Sequence, residues 1–232
     1  TFCGLVFGTF SEETEPLEQY LGAPMSKFLD RNLGRPLKVL GVHSQMIHNN
    51  WKLYAENVRD SYHATLLHTF YTTFKVNRLD MDGGIILSDK KWHHISYTKR
   101  ATLQAEKEYE NVHSGQFQSQ LAGTELLKAW DEFDDGITHS IQTVFPTLVV
   151  HFTLNSLAVR YFVPRGVDKT ELFWVFLGYE RDTPEQERMR IMQGNLTGAA
   201  GLVSLDDGCI NEFEHCGTQA SPESQAFIEM GG

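Results

Sequence analysis

Asp60, His63 and His68 fall within nine residues, in the stretch Glu56-Asn-Val-Arg-Asp-Ser-Tyr-His-Ala-Thr-Leu-Leu-His68. Two imidazoles and a carboxylate can hold a divalent metal. Neutral imidazole suits iron, zinc, copper and nickel, and two histidines with one carboxylate and open positions is the arrangement of non-haem Fe(II) oxygenases. On an unbroken helix Asp60 and His63 share a face, about 60° apart. His68 would point about 140° away from His63. Both rings can therefore reach one ion only if the helix bends or ends near Ala64–Leu67. Asp60 could instead accept from the non-ligating N–H of His63 and set its tautomer.

Other candidate ligands are weaker. His93 and His94 are adjacent, and neighbouring strand residues point to opposite faces. His113, His139, His151 and His215 stand alone and read as core or surface. A third, carboxylate ligand has to come from elsewhere. Asp206-Asp207-Gly208 follows the apolar Gly198–Leu205 segment and by itself reads as an Asp-Gly turn. Asp131, Asp134 and Asp135 read as a solvated helical face.

The elements around these residues suggest one domain over 1–232, with no Pro/Gly/Ser-rich linker dividing it. Residues 1–10 read as a strand, followed by a helical turn capped by Ser11. Residues 37–43 read as a strand, and 49–67 as a helix with Trp51, Tyr54, Val58 and Tyr62 on one stripe. Runs 70–76, 84–87 and 91–99 read as strands, with a turn at Asp82-Gly83-Gly84. The polar stretch 101–135 reads as helix plus loop. Three further β-rich runs, 141–152, 157–163 and 171–179, are separated by short turns and predict an antiparallel meander. Thr183-Pro184 opens a helix running toward Gly198. This order predicts an α+β fold, an antiparallel sheet packed on helices.

Composition excludes several classes. Hydrophobic residues make up 41% of the 232, with fifteen Phe, enough for a sizeable core. A net charge of −10 argues against nucleic acid as a partner. No apolar run reaches the roughly 18 residues of a membrane span. Cys3, Cys209 and Cys216 form no disulfide framework and no Cys-x-x-Cys pair, which fits a cytoplasmic location. The Asn195 sequon is read as chance.

The stretch Asn50-Trp-Lys-Leu-Tyr-Ala-Glu-Asn-Val-Arg-Asp-Ser-Tyr-His-Ala-Thr-Leu-Leu-His68 resembles the mononuclear-iron segment of Rieske-type aromatic-ring-hydroxylating oxygenases, large (alpha) subunit. That family's pattern is Asp-x-x-His-x(4 or 5)-His, preceded by Asn-Trp-Lys and Glu-Asn. Gly198 to Asp207 is similar to its later glycine-rich segment, which ends in Asp-Asp before a strand. Gly4-Leu-Val-Phe-Gly8 with Leu17-Glu-Gln-Tyr-Leu-Gly22 is similar to the exit from its Rieske domain.

This resemblance implies a helix-grip (START/Bet v 1-like) fold and a mononuclear Fe(II) held by His63, His68 and Asp207. Asp60 would link His63 to a Rieske-cluster histidine of a neighbouring subunit, and Asn57 or Glu56 would sit beside the iron. Ser204 stands near the place of a family Glu. No Cys-x-His or Cys-x-x-His pair is present for a [2Fe–2S] cluster. The chain starts at Thr1 and stops at Gly232, so a catalytic domain without its Rieske domain, with a truncated C-terminus, is expected.

The implied reaction is (di)hydroxylation of an aromatic ring by O2, with NAD(P)H electrons arriving through a reductase and often a ferredoxin. The implied assembly is a homotrimer or an α3β3 complex. The likeness is greatest to members acting on salicylate or anthranilate, and Arg59, Arg160 and Arg165 are the candidate cations for a substrate carboxylate. Two rival readings are a zinc hydrolase using Asp60, His63 and His68, and a metal-free small-ligand-binding module.

Overall fold

A computed structural model describes residues 1–78, 81–100, 123–221, 223 and 225. Its centre is a seven-stranded sheet. The strands are β1 (Leu37–Ile47), β2 (Gly83–Leu87), β3 (His94–Lys99), β4 (Ile137–Val144), β5 (Leu148–Thr153), β6 (Ser156–Pro164) and β7 (Thr170–Tyr179). They lie in the order β1-β7-β6-β5-β4-β3-β2, every neighbouring pair antiparallel. Short hairpins account for β4 to β7, the expected meander.

Period-2 alternation gives the sheet two different faces. The row Ile95, Gln142, Val150, Val159 and Val175 faces helix α1 (Leu17–Leu33). From α1, Leu21, Met25 and Leu29 are fully buried against it, each burial contributing roughly 1.5–3 kcal/mol. Within α1, Gly22 has φ 74°, a left-handed value that a side chain would strain. Pro24 follows in the first turn of the longer half, where its missing N–H removes no helical bond.

The opposite face carries α2 (Trp51–Asn57), α3 (His63–Leu66), α4 (Thr69–Thr73), α5 (Pro184–Thr197) and α6 (Leu202–Ala220). Thr183 and Gln186 form a capping box at the start of α5. Buried Arg190 ties that helix down: it bonds Asp182 at 2.7 Å, Glu132 at 2.6 Å and the Asn155 carbonyl at 2.6 Å. The α+β architecture is as expected. Among the described residues, no helix is long and apolar enough to cross a membrane.

Several local expectations fail. Residues 1–10 form no strand. Phe2 and Leu5 bridge across a tight turn in which Cys3 and Gly4 have positive φ, and among the described residues that pair joins no third segment. Ser11 caps no helix; its Oγ accepts from the Glu13 N–H, and α1 starts after Pro16. Residues 70–76 form no strand: α4 covers Thr69–Thr73 and the chain then turns, with Phe70 and Phe74, four apart, packed with ring centroids 4.7 Å apart. The run 141–152 is two strands, since Pro146 has no N–H to continue a ladder.

Gly83 and Gly84 lie in β2 rather than in a turn. Asp131 and Asp135 belong to a loop, not a helical face: Asp131 accepts from the Gly136 N–H and Asp135 pairs with Arg31 at 2.7 Å. Residues 101–122, including His113, lie outside the described residues.

Candidate metal centre

Asn50 caps α2 by accepting the Lys52 N–H. The helix ends at Asn57, and Asp60 Oδ1 then accepts from the N–H of Tyr62 (2.7 Å) and His63 (3.3 Å), which starts α3. That helix lasts one turn. His68 has φ −82° and ψ 79°, outside the helical region. The chain thus breaks on both sides of α3, and the second break turns the His68 ring toward His63, with centroids 5.2 Å apart. The bend required near 64–67 is present.

Asp207 arrives from the other end of the chain, and not on a turn. Asp206, Asp207 and Gly208 lie inside α6, and no strand follows them directly. Val203, Ser204, Asp207 and Asn211 form the buried stripe of that helix, so tertiary contact overrides the Asp-Gly turn signal. Ser204 Oγ bonds Gln45 Oε1 of β1 at 2.9 Å, and Asn211 Oδ1 accepts from Asn49 at 2.9 Å. Before α6 the chain turns tightly: a Cβ on Gly201 would lie 2.1 Å from the Leu196 carbonyl oxygen, and one on Gly198 2.7 Å from the Phe176 ring.

Asp207 Oδ1 lies 3.4 Å from His63 Nε2 and 3.3 Å from His68 Nε2. Ligands about 2.1 Å from a shared ion sit roughly 3 Å apart when adjacent, so the donor spacing fits one cation. Among the described residues these three form the one cluster of such donors. Both Nδ1 atoms turn outward to carboxylates, His68 to Asp206 at 3.3 Å and His63 to Asp60 at 3.6 Å.

The electrostatics agree with a site for positive charge. Burial alone would raise the Asp207 carboxyl, yet hydrogen bonds from the two histidines hold it well below the usual carboxylate range. Burial would lower His63, but Asp207 and Asp60 outweigh it and raise it to about 9.

Asn57 Nδ2 donates to Asp207 Oδ1 at 3.3 Å, so Asn57 and not exposed Glu56 stands at the cluster. Glu56 and Arg59 line a separate groove beside Trp51 and Trp92. His93 is engaged by the Tyr20 carbonyl and the Phe145 N–H, and His94 does not join the cluster.

All three donors line a cavity of about 440 Å³. Of the candidate arginines only Arg160 borders it. It is 4% exposed, bonds Tyr54 Oη at 3.0 Å, lies 4.7 Å over the Trp174 ring and, among the described residues, leaves its Nε without a partner. Arg165 pairs with Glu171 at 2.7 Å on the surface. His139 and His151 also line the cavity, both buried. The β4–β5 hairpin sets these two rings side by side, their centroids 6.0 Å apart, a pairing that the spacing of two lone histidines does not signal.

Residues 35–227 match the family described as "Ring hydroxylating alpha subunit (catalytic domain)". The chain belongs to that family. As a ring-hydroxylating alpha-subunit catalytic domain it is 42% identical, over its whole length, to terephthalate 1,2-dioxygenase, terminal oxygenase component subunit alpha 2, of Comamonas sp.. It is 39% identical over 99% of its length to the anthranilate 1,2-dioxygenase large subunit of Burkholderia cepacia, and 35% identical over 99% to the large oxygenase component of salicylate 5-hydroxylase of Ralstonia sp.. These alignments cover 56%, 55% and 55% of the relatives, so the chain spans about half their length. The ring-hydroxylating domain shares its fold with naphthalene 1,2-dioxygenase from Rhodococcus sp. bound to indole (TM-score 0.70, 22% identity, covering 92% of this chain and 52% of the other).

Proposed function

We propose that this chain is the catalytic domain of a ring-hydroxylating oxygenase alpha subunit in which His63, His68 and Asp207 hold a mononuclear Fe(II) and the substrate is an aromatic carboxylate. The observation that carries the reading is the convergence of those three donors on a cavity that also contains a buried guanidinium. Bound there, iron supplies the chemistry of O2. The protein's own groups position and shield. Asp206 and Asp60 orient the two imidazoles, Asn57 steadies the Asp207 carboxylate, and Arg160 attracts the substrate carboxylate. Trp174 and Tyr71 wall the cavity against bulk water.

Asp60, partly exposed and facing His63, is the entry point for electrons from a neighbouring subunit's [2Fe–2S] Rieske cluster. That role requires the whole subunit as a homotrimer or α3β3 assembly, supplied from NAD(P)H by a reductase and, in many systems, a ferredoxin. Terephthalate, anthranilate and salicylate are named for the relatives and mark the class of acid to try first. The test is 18O2 turnover of such acids by the full-length subunit with a reductase system. One iron per chain and 18O in a hydroxylated ring are expected. Zinc at full occupancy with hydrolytic activity, or turnover unchanged in His63→Ala, would overturn the assignment.

A further inference from the structure

Deep in the cavity wall, two histidines that lie off the metal cluster share one hydroxyl. Thr153 Oγ1 is 2.8 Å from His139 Nδ1 and 2.6 Å from His151 Nε2. Thr153 is 1% exposed, His139 6% and His151 4%. His139 lies directly across the β4–β5 ladder from Thr153, and His151 is two residues before Thr153 on the same face. Burial, reinforced by nearby cationic groups, pushes His139 down to about 3 and His151 well below the imidazole range, so both rings are neutral.

Hydrogen-bond counting then constrains the pair. The Thr153 hydroxyl has one proton and two lone pairs: with the proton placed between the two neutral rings it donates to one and accepts from the other, and with the proton turned to a third acceptor it accepts from both, which gives opposite tautomers. In the first arrangement, if His139 Nδ1–H donates to Thr153, the hydroxyl donates to His151 Nε2, and His151 carries its proton on Nδ1. The free nitrogens are then an acceptor on His139 and a donor on His151. Rotating the hydroxyl reverses both. In both states with the proton between the rings the two imidazoles share the same tautomer, and their free nitrogens are one donor and one acceptor.

We propose that His139, Thr153 and His151 form a coupled specificity unit that recognises a neutral hydroxyl on the substrate ring, while Arg160 takes the carboxylate. A hydroxyl both donates and accepts, matching a pair that offers one of each in either orientation. A second carboxylate, which only accepts, meets a bare nitrogen in one of its two contacts. This inference rests on the reading of the cavity as a substrate site, but its first test does not.

That first test is 15N NMR of the full-length protein labelled at histidine, without added metal and again with zinc, the two signals being assigned by their loss in His139→Gln and His151→Gln. Both rings are expected neutral at pH 7 and in the same tautomer. Thr153→Val should release that correlation and Thr153→Ser should keep it. Opposite tautomers, or a protonated ring at pH 7, would overturn the coupled unit.

The second test measures dissociation constants of the three hydroxybenzoates, benzoate and benzene-1,4-dicarboxylate. At least one hydroxybenzoate is expected to bind about tenfold tighter than both others, with the preference lost in Thr153→Val and retained in Thr153→Ser. Equal binding of all five acids, or a preference unchanged in Thr153→Val, would overturn hydroxyl recognition. Failure of every acid to bind, with the shared tautomers intact, would instead count against the substrate-site reading.

Discussion

His68 is held from both sides by neighbouring acids of one helix: its Nε2 faces Asp207 at 3.3 Å and its Nδ1 faces Asp206 at 3.3 Å. Adjacent helical residues point about 100° apart, so the imidazole is lodged between two diverging carboxylates. One of them completes the donor cluster, and the other aligns the ring.

Removing Asp206 should therefore loosen the ion without removing a donor. Asp206→Asn is expected to weaken Fe(II) affinity about 10–100-fold, as loss of an outer carboxylate partner does elsewhere. Competition with a chelator measures it. Asp207→Ala should instead abolish stoichiometric iron, with circular dichroism showing the fold retained.

Metal should stabilise the fold through the same cluster, since its donors come from α3, the start of α4 and α6. At iron concentrations about 100 times the dissociation constant, unfolding free energy should rise by about 2.7 kcal/mol. Urea titration with and without chelator checks this, and the gain should vanish in Asp207→Ala.

Gly201→Ala tests how the acids are delivered. The added Cβ would meet backbone carbonyls at 2.1 and 2.3 Å, so the start of α6 must move. Destabilisation of roughly 1–3 kcal/mol is expected, together with weaker iron binding because Asp207 moves with the helix. Ala at Gly217, which has open space around it, is the control.

Arg160→Gln should raise KM for an aromatic carboxylate about tenfold to a hundredfold, the loss of one charge-assisted contact, with kcat changed far less. Steady-state kinetics on the full-length oxygenase separate the two. An uncharged aromatic substrate should show no such change in KM.

The Arg190–Asp182–Glu132 network gives the fold an acid limit. Burial would raise the Asp182 carboxyl, but hydrogen bonds from Arg190 and the Tyr179 N–H outweigh it and hold it below its ordinary 3.8. The folded state thus favours the charged form. Its contribution is complete above the unfolded pKa and is lost as pH falls below 3.8. Asp182→Asn should destabilise the protein by about 3–5 kcal/mol near neutrality. The penalty should shrink as pH drops, as read by denaturation at a series of pH values.

Much was legible from local patterns. The His63–His68 spacing marked two of the three clustered donors, and the geometry of a helix demanded the break that follows α3. The β6 and β7 runs and the Thr183-Pro184 helix start were readable because their signals are confined to a few neighbouring residues. Phe70–Val76 reads as a strand because aromatic residues suit strand and helix alike, whereas in the fold Phe70 packs on Phe74 across the short helix Thr69–Thr73. At Asp206-Asp207-Gly208 the local turn preference lost to the buried face of a long helix.

By itself the sequence determined which groups were available: two histidines on a broken helical segment, an Asp-Asp pair, and a few arginines near β-rich runs. Family resemblance pointed to Asp207 as their partner. Only the tertiary structure decided that Asp207 stands over both rings, that Arg160 and not Arg59 or Arg165 borders the cavity, and that His139 and His151 meet at Thr153. The reason is that local spacing governs the direction of a side chain within its own element, whereas the distance between elements is set by how the whole sheet and its helices pack.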